Sequence, residues 1–374
     1  MTAAFRNQID IKLSIADQVI VCVDIQPRSR PPLGRLFAGK PPESLLAALP
    51  RLFALCACAH QVALISALEA AREQQAPPLT RHRRLTTVIV ERFAELLRGL
   101  LVGPLVGPLV GPLVRDRSAI AQAQHLLQAI ASLQAHSGAG SQPQSRAANL
   151  SQIKMAMAAL GIGLAAESVL PETPLASMMD SVRKAADDGG WKHMPTEPRI
   201  LSAADDDAIV AQLMDAGSVF AEAPELGGRV PETGVWARQA AHDSLSQAGP
   251  VERLSARIAE IGELLRWIED GEGEAEEAEV VASYALGPRR GAAAVECARG
   301  RLHHAVELDE HGHIARFEFL APTEWNFHPR GPVVNSLTGA VLRGRRDREA
   351  IDALVGSFDP CVGYHLVVEE IADA

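Results

Sequence analysis

Arg51-Leu52-Phe53-Ala54-Leu55-Cys56-Ala57-Cys58-Ala59-His60 and, about 300 residues later, Asp359-Pro360-Cys361-Val362-Gly363-Tyr364-His365 are the two stretches that decide how this chain is read. Between them they hold three of its five cysteines. Thiolates are soft metal ligands. Taken singly, Cys56 and Cys361 have a plainer reading as buried structural thiols, the ordinary state of a free cysteine. Cys56 and Cys58 would diverge by about 200° on a common helix, so joint ligation would require a loop there. The full set, Cys22, Cys56, Cys58, Cys297 and Cys361, is odd in number and not spaced as a disulfide framework. These read as reduced thiols of a cytoplasmic protein.

Composition narrows the classes. At 374 residues with 47% apolar content a large core is available, and with only 4% aromatics it must be built from Leu, Val, Ile and Ala. A net charge of -10 argues against nucleic acid as a partner, because phosphate binding needs a clustered positive field. Arg81, Arg83 and Arg84 read as a solvated helix start. The N-terminus shows no basic region followed by an apolar run, and no apolar stretch reaches membrane-spanning length, so no membrane partner is expected.

Outward from the two stretches, Ile9, Ile11, Leu13 and Ile15, then Val19, Val21, Val23 and Ile25, alternate with period two around Ala16-Asp17-Gln18 and predict a β-hairpin with Cys22 on the opposite face. Leu45 to Ala71 predicts helix carrying the first stretch, and Leu85 to Leu101 a second helix. Residues 100–114 carry a four-residue Leu-Val-Gly-Pro unit, which proline excludes from a helix interior, and read as a duplicated loop. Residues 137–148 read as a flexible linker. Asn149 to Ala223 is mostly helical in pattern. Val251, Leu254, Ile258, Ile261, Leu265 and Ile268 mark an amphipathic helix ending at Gly271, and Leu302 to Leu320 predicts a hairpin around Asp309-Glu310-His311-Gly312. The class is α+β, mainly helical, read as one domain over residues 1–374.

Five segments, in order, resemble motifs of nickel–iron hydrogenase large subunits. Arg51 to His60 resembles R-x-C-x-x-C-x-x-x-H with Phe53 at the first cysteine. Pro231 to Arg238 is similar to E-T-G-x-x-A-R. Glu296-Cys297-Ala298-Arg299-Gly300-Arg301-Leu302-His303-His304 is similar to E-A-P-R-G-A-L-G-H. Ala321 to Arg330 is similar to V-P-T-T-W-N-x-x-P-R, and Asp359 to Tyr364 to D-P-C-x-x-C with Tyr364 at the last cysteine. The resemblance implies a degenerate large-subunit-like fold with small β elements at both ends. In that family four thiolates hold nickel and an Fe(CN)2(CO) unit. With Cys56 and Cys361 alone remaining, it implies no nickel site, but two thiols able to hold the iron fragment. Arg299 would face one cyanide, Thr323 with the Pro322 backbone the other, and His60 would hydrogen-bond nearby. An arginine in an apolar, strand-like stretch should have an anionic partner, either cyanide or a carboxylate.

Further departures are similar in direction. The R-x-E-G-H proton-transfer motif is missing from the Ile11 to Ile15 strand, and His365 falls two residues before the position of the family's C-terminal histidine. His303, His304, His311 and His313 suggest no more than an adventitious nickel or zinc site. Together these features resemble the HupK/HoxV type of hydrogenase-maturation protein. That type implies a non-catalytic carrier of Fe(CN)2(CO), with HypC/HypD-type maturation proteins as donors and the hydrogenase large-subunit precursor as acceptor. The alternatives are a divergent catalytic subunit and a metal-free structural partner.

Overall fold

The hydrophobic alternation at the N-terminus becomes β1 (Gln8–Ala16) and β2 (Val19–Gln26), joined by Asp17 and Gln18, both with positive φ as a tight hairpin turn requires. Ile9, Ile11, Leu13 and Ile15 are buried as the period demands. The second row differs. Ser14 pairs with Cys22 and Ile15 with Ile20, so Val21 is an extra residue in a bulge, and Ile20 takes the buried place while Val21 and Cys22 are exposed. One inserted residue reverses the facing of a strand, which the alternation alone did not reveal.

The computed structural model describes residues 8–26, 30–102, 117–136, 143–163, 169–188, 199–243, 248–270, 277–342, 344 and 347–371. After the hairpin come α1 (Leu33–Phe37), α2 (Pro42–Leu52), α3 (Ala57–Ala71) and the long α4 (Pro78–Val102). The single helix expected from Leu45 to Ala71 is broken: Pro50 removes an amide donor near the end of α2, Phe53 is extended, and Cys56 has left-handed φ 55 and ψ 35 before α3 begins. Next are α5 (Arg117–His136), α6 (Pro143–Leu160) and α7 (Pro174–Asp188), then a 3-10 turn at Ala203–Asp205 leading into α8 (Asp206–Ala216). Residues 103–114 of the expected repeat loop, and 137–142 of the expected linker, lie outside the described residues; residues 143–148 of that linker are helical, starting at a proline whose fixed φ suits a first turn.

The chain continues through α9 (Ser218–Glu222), α10 (Val235–Asp243), α11 (Pro250–Asp270) and α12 (Glu277–Val280) into an antiparallel meander of β3 (Val281–Ala285), β4 (Arg290–Cys297), β5 (Gly300–Leu308) and β6 (Ile314–Leu320). The hairpin expected over Leu302 to Leu320 is its last pair. The end of the chain holds α13 (Pro322–Asn326), α14 (Pro332–Leu337), α15 (Asp347–Ser357) and β7 (Gly363–Glu370). β7 runs parallel to β1, with Gly363 opposite Gln8, so the last strand completes a sheet begun by the first, in the order β2-β1-β7.

The four-stranded sheet is covered by α3, and its strand pair β4–β5 turns at Ala298 and Arg299. Contact between α3 and β4 is backbone-close: a Cβ on Gly291 would lie 2.2 Å from the Ala67 carbonyl oxygen and 2.3 Å from the Ala71 nitrogen. We therefore expect Gly291→Ala to push α3 off the sheet and destabilise the fold by about 1–3 kcal/mol, an overpacking cost. A drop in the urea unfolding midpoint checks it, and an unchanged midpoint contradicts it.

Candidate functional site

The two quoted stretches meet at one buried arginine. Arg299, in the turn between β4 and β5 and not within a strand as its apolar neighbours suggested, donates from Nη1 to Cys56 Sγ at 3.4 Å and to Glu95 Oε2 at 3.2 Å. Its Nε lies 3.4 Å from Asp359 Oδ2. Burial opposes its charge, but Asp359, Cys56, Glu95 and Cys361 together raise its pKa well above the ordinary arginine value. Both expected cysteines thus lie within the field of one guanidinium. Thr323, at the start of α13 after Pro322, donates its hydroxyl to Cys361 Sγ at 3.0 Å and accepts from the Cys361 amide at 3.4 Å.

Backbone geometry sets the approach of each stretch. Cys56 is left-handed at the foot of α3, and Asp359 has φ 50 two residues before Cys361. Non-glycine residues hold that conformation only where the surroundings impose it, at a cost of about 1–3 kcal/mol each. Glu91 on α4 imposes it at Cys56, accepting from the Cys58 and Ala59 amides at 2.7 and 2.8 Å and so capping α3 from outside. One turn later Glu95 meets Arg299. Burial raises the pKa of both carboxyls, and Arg299 draws Glu95 back towards ionisation.

The positions that would complete a four-thiolate site are filled by packing. The Phe53 ring stacks on His60, centroids 3.8 Å apart and planes 6° off parallel, and meets Phe319 edge-on at 5.2 Å. Tyr364 turns away and donates to Asp352 at 2.9 Å. Cys297, to which the motifs assign no ligand role, is a third thiol at the site: its contact with Cys56, together with burial, pushes the Cys56 pKa well up, so thiolate formation there must displace a proton. Cys58 stands by Glu91, and burial followed by that carboxylate pushes its pKa up to about 12. Among the described residues no group of three or more His, Cys, Asp or Glu side chains can hold a metal ion. A metal held by Cys56 and Cys361 must bring most of its own ligands.

The other motif residues hold the turn that presents Arg299. Arg238 on α10 donates to the Cys297 and Ala298 carbonyls at 3.4 and 3.2 Å, and pairs with Glu296 at 2.6 Å and Glu260 at 2.8 and 2.9 Å. Glu260, also paired with Arg92, keeps its charge despite burial, its pKa drawn down to about 2 by Arg238 and then Arg92. Asn326 receives the Thr233 amide at 3.0 Å and donates to the Thr233 carbonyl at 2.8 Å, while Thr233 Oγ1 accepts from the Arg301 amide at 3.2 Å. Sequence reasoning missed Glu91, Glu95, Asp359 and Arg238 as site partners. The signal available was a pair of carboxylates four residues apart in a helix otherwise rich in Leu and Val.

The histidines separate. His303 and His304 are neighbours in β5 and so face opposite ways. His303 meets Asp206 at 2.8 Å, beside the Arg301 guanidinium, whose Nε donates to the same carboxylate at 2.7 Å. His304 Nε2 meets His60 Nδ1 at 2.9 Å. His311 and His313 are in the outer turn, with side chains 73% and 41% exposed, and do not join them. His365 is exposed near Asp10. Burial, then the neighbouring His303, lowers the His304 pKa from 6.5 to about 3. A depressed base is neutral in the folded protein and must charge on unfolding. Its stabilisation is present above pH 6.5 and is lost as pH falls towards 3, at up to about 1.4 kcal/mol per pH unit. We expect His304→Leu to flatten the decline in unfolding free energy between pH 7 and pH 5; equal slopes in the two proteins would rule this out.

A family model described as nickel-dependent hydrogenase matches residues 251–364, a span containing Arg299, Thr323 and Cys361. The fold is similar to the Ni-Fe-Se hydrogenase from D. vulgaris Hildenborough, TM-score 0.64 at 15% identity over 93% of this chain and 94% of that one. It is also similar to an NAD+-reducing nickel–iron hydrogenase, TM-score 0.62 at 16% identity over 92% and 93%. That likeness is one of fold, and it is the α+β large-subunit architecture the motifs implied. In sequence, the hydrogenase expression/formation protein HupK of Rhizobium leguminosarum bv. viciae is 34% identical over 98% of this chain and 97% of its own. HupK of Bradyrhizobium diazoefficiens is 49% identical over 100% of both chains. With such identity along its whole length and the hydrogenase large-subunit fold beneath it, the chain belongs to the HupK family of hydrogenase expression/formation proteins.

Proposed function

We propose that this chain is a non-catalytic hydrogenase-maturation factor that carries an Fe(CN)2(CO) fragment on Cys56 and Cys361. The observation that carries the reading is that Arg299 joins the two stretches, bonded to Cys56 Sγ and paired with Asp359 two residues before Cys361, where the described residues offer no set of three side chains able to hold a metal by themselves. Iron that already bears three diatomic ligands needs few from protein, and two thiolates complete a five-ligand set. Bare nickel or zinc would require about four protein ligands. Arg299 supplies a cationic donor for a cyanide nitrogen, and the α13 start at Pro322 and Thr323 flanks the second thiol. The relatives' designation as expression/formation proteins supports the maturation setting. In this reading the donor is a HypC/HypD-type complex, the acceptor is the large-subunit precursor, and exchange takes place in the cytoplasm.

A divergent catalytic subunit is disfavoured by Phe53 and Tyr364, whose side chains are committed to His60 and Asp352. A metal-free partner is favoured by one observation: Glu95 and Asp359 already supply Arg299 with anions. Two experiments separate the readings.

Protein purified without oxygen from cells expressing the maturation system should show cyanide and carbonyl infrared bands, hold iron without stoichiometric nickel, and oxidise no hydrogen. Cys56→Ser and Cys361→Ser should each abolish the bands. Bands that survive both changes, or turnover of hydrogen, would refute the carrier reading.

Because Arg299 has internal carboxylate partners, Arg299→Leu should strand Glu95 and Asp359 and destabilise the fold by about 3–5 kcal/mol. Arg299→Lys keeps the charge but loses the planar two-sided donor, and should melt close to wild type while retaining less iron. If the lysine variant keeps full iron, Arg299 is a structural ion-pair member and the metal-free reading gains.

A further inference from the structure

Beside Arg299 lies a small cavity with room of about 20 Å3 for a water-sized occupant. Thr233, Gly234, Ala298, Arg257, Arg299 and Asp359 are among its walls. Three of these are charged, buried and incompletely bonded. Arg257 on α11 is 2% exposed, and its sole hydrogen bond among the described residues is a long one from Nη2 to the Ser357 carbonyl at 3.4 Å. Its Nε and Nη1 find no hydrogen-bond partner among the described residues, and neither do Arg299 Nε and Asp359 Oδ2. The charges are close without being bonded: Arg257 Nη1 stands 3.8 Å from Asp359 Oδ1. At that length the two form an ion pair without a hydrogen bond, so the unbonded atoms around the cavity are left for a small polar occupant beside the pair. A water placed there would accept from Arg257 and Arg299 and donate to Asp359, within the two to four partners that a buried water requires. Gly99 of α4 comes up against the same charges: a Cβ there would lie 3.0 Å from Asp359 Oδ1 and 3.5 Å from Arg257 Nη1.

We propose that Arg257 is a positioning residue that, through one trapped water, fixes Asp359 and Arg299 and thereby sets where the Cys361 turn and the Arg299 guanidinium stand. The α11 stripe is thus more than a packing face. On the same helix as Glu260, which holds Arg238 and through it the Arg299 turn, it carries a second buried charge that pairs with Asp359 and lines the same cavity as Arg299. The consequence for iron rests on the carrier reading above; the water-mediated tie does not.

High-resolution crystal structures of the iron-free full-length protein test the tie. Wild type should show one water bonded to Arg257, Arg299 and Asp359. Arg257→Met removes the cation. Gly99→Ala instead puts a methyl group against Asp359 and Arg257 and leaves every charge in place. Both variants should lack the water and have Arg299 rotated from Cys56. No water in wild type, or Arg299 unmoved in the variants, overturns the proposal. In iron-loaded protein the same variants should lose iron about tenfold faster than wild type, the usual scale for residues that orient metal ligands, and shift the cyanide bands. A moved Arg299 with unchanged bands and unchanged iron loss also overturns the positioning role. If wild type holds no iron at all, the carrier reading fails, and the iron-free structures alone decide the role of Arg257.

Discussion

A guanidinium buried at the tip of a two-residue turn is the constraint around which this molecule is arranged. Arg299 is 6% exposed, and a charge so placed is tolerable only when anions and hydrogen bonds replace the water it has lost. Glu95 from α4, Asp359 from the end of the chain and the Cys56 sulfur provide them, so three distant segments are drawn to one point. The turn itself is held by a second charged layer, Arg238 with Glu260 and Glu296, and by the Asn326–Thr233 clasp. Motifs that look like ligand-binding signatures in sequence are largely the scaffold of this turn.

That distinction explains how a large-subunit architecture can stand without its full set of thiolates. Had Phe53 and Tyr364 merely vacated ligand positions, the core would hold cavities or stranded polar groups. Instead the Phe53 ring joins His60 and Phe319 in an aromatic cluster, and Tyr364 finds Asp352. The thiols and the supporting ion pairs are separable layers, and the outer layer holds Cys56 against Arg299 and Cys361 against Thr323. Strain at Cys56 and Asp359 is borne by that same layer, with Glu91 capping α3 where the backbone must reverse its hand.

Much of the scaffold was legible residue by residue. Period-two alternation marked the N-terminal hairpin, a 3.6-residue stripe marked α11, and Asp309 and Gly312 marked the turn between β5 and β6. The failures were equally physical. The bulge at Val21 is an insertion that alternation cannot register. The break between α2 and α3 follows from Pro50 and a left-handed Cys56, while a run rich in Leu and Ala reads as unbroken helix. The histidine tract dispersed because neighbouring residues of a strand face opposite sides.

By itself the sequence determined the elements that follow from periodicity, and its five motifs, through their resemblance to hydrogenase large subunits, implied the fold that the structure has, because these depend on residue type and order along the chain. Which charges meet was decided only by the tertiary structure. Arg299 lies 204 residues from Glu95 and 60 from Asp359 in the chain, and no local pattern states that α4 and the β7 approach will close on the same turn. Burial makes that closure obligatory: once the turn is inside the core, its charge must be matched by whatever carboxylates the packing of α4, α11 and the C-terminal segment brings within reach.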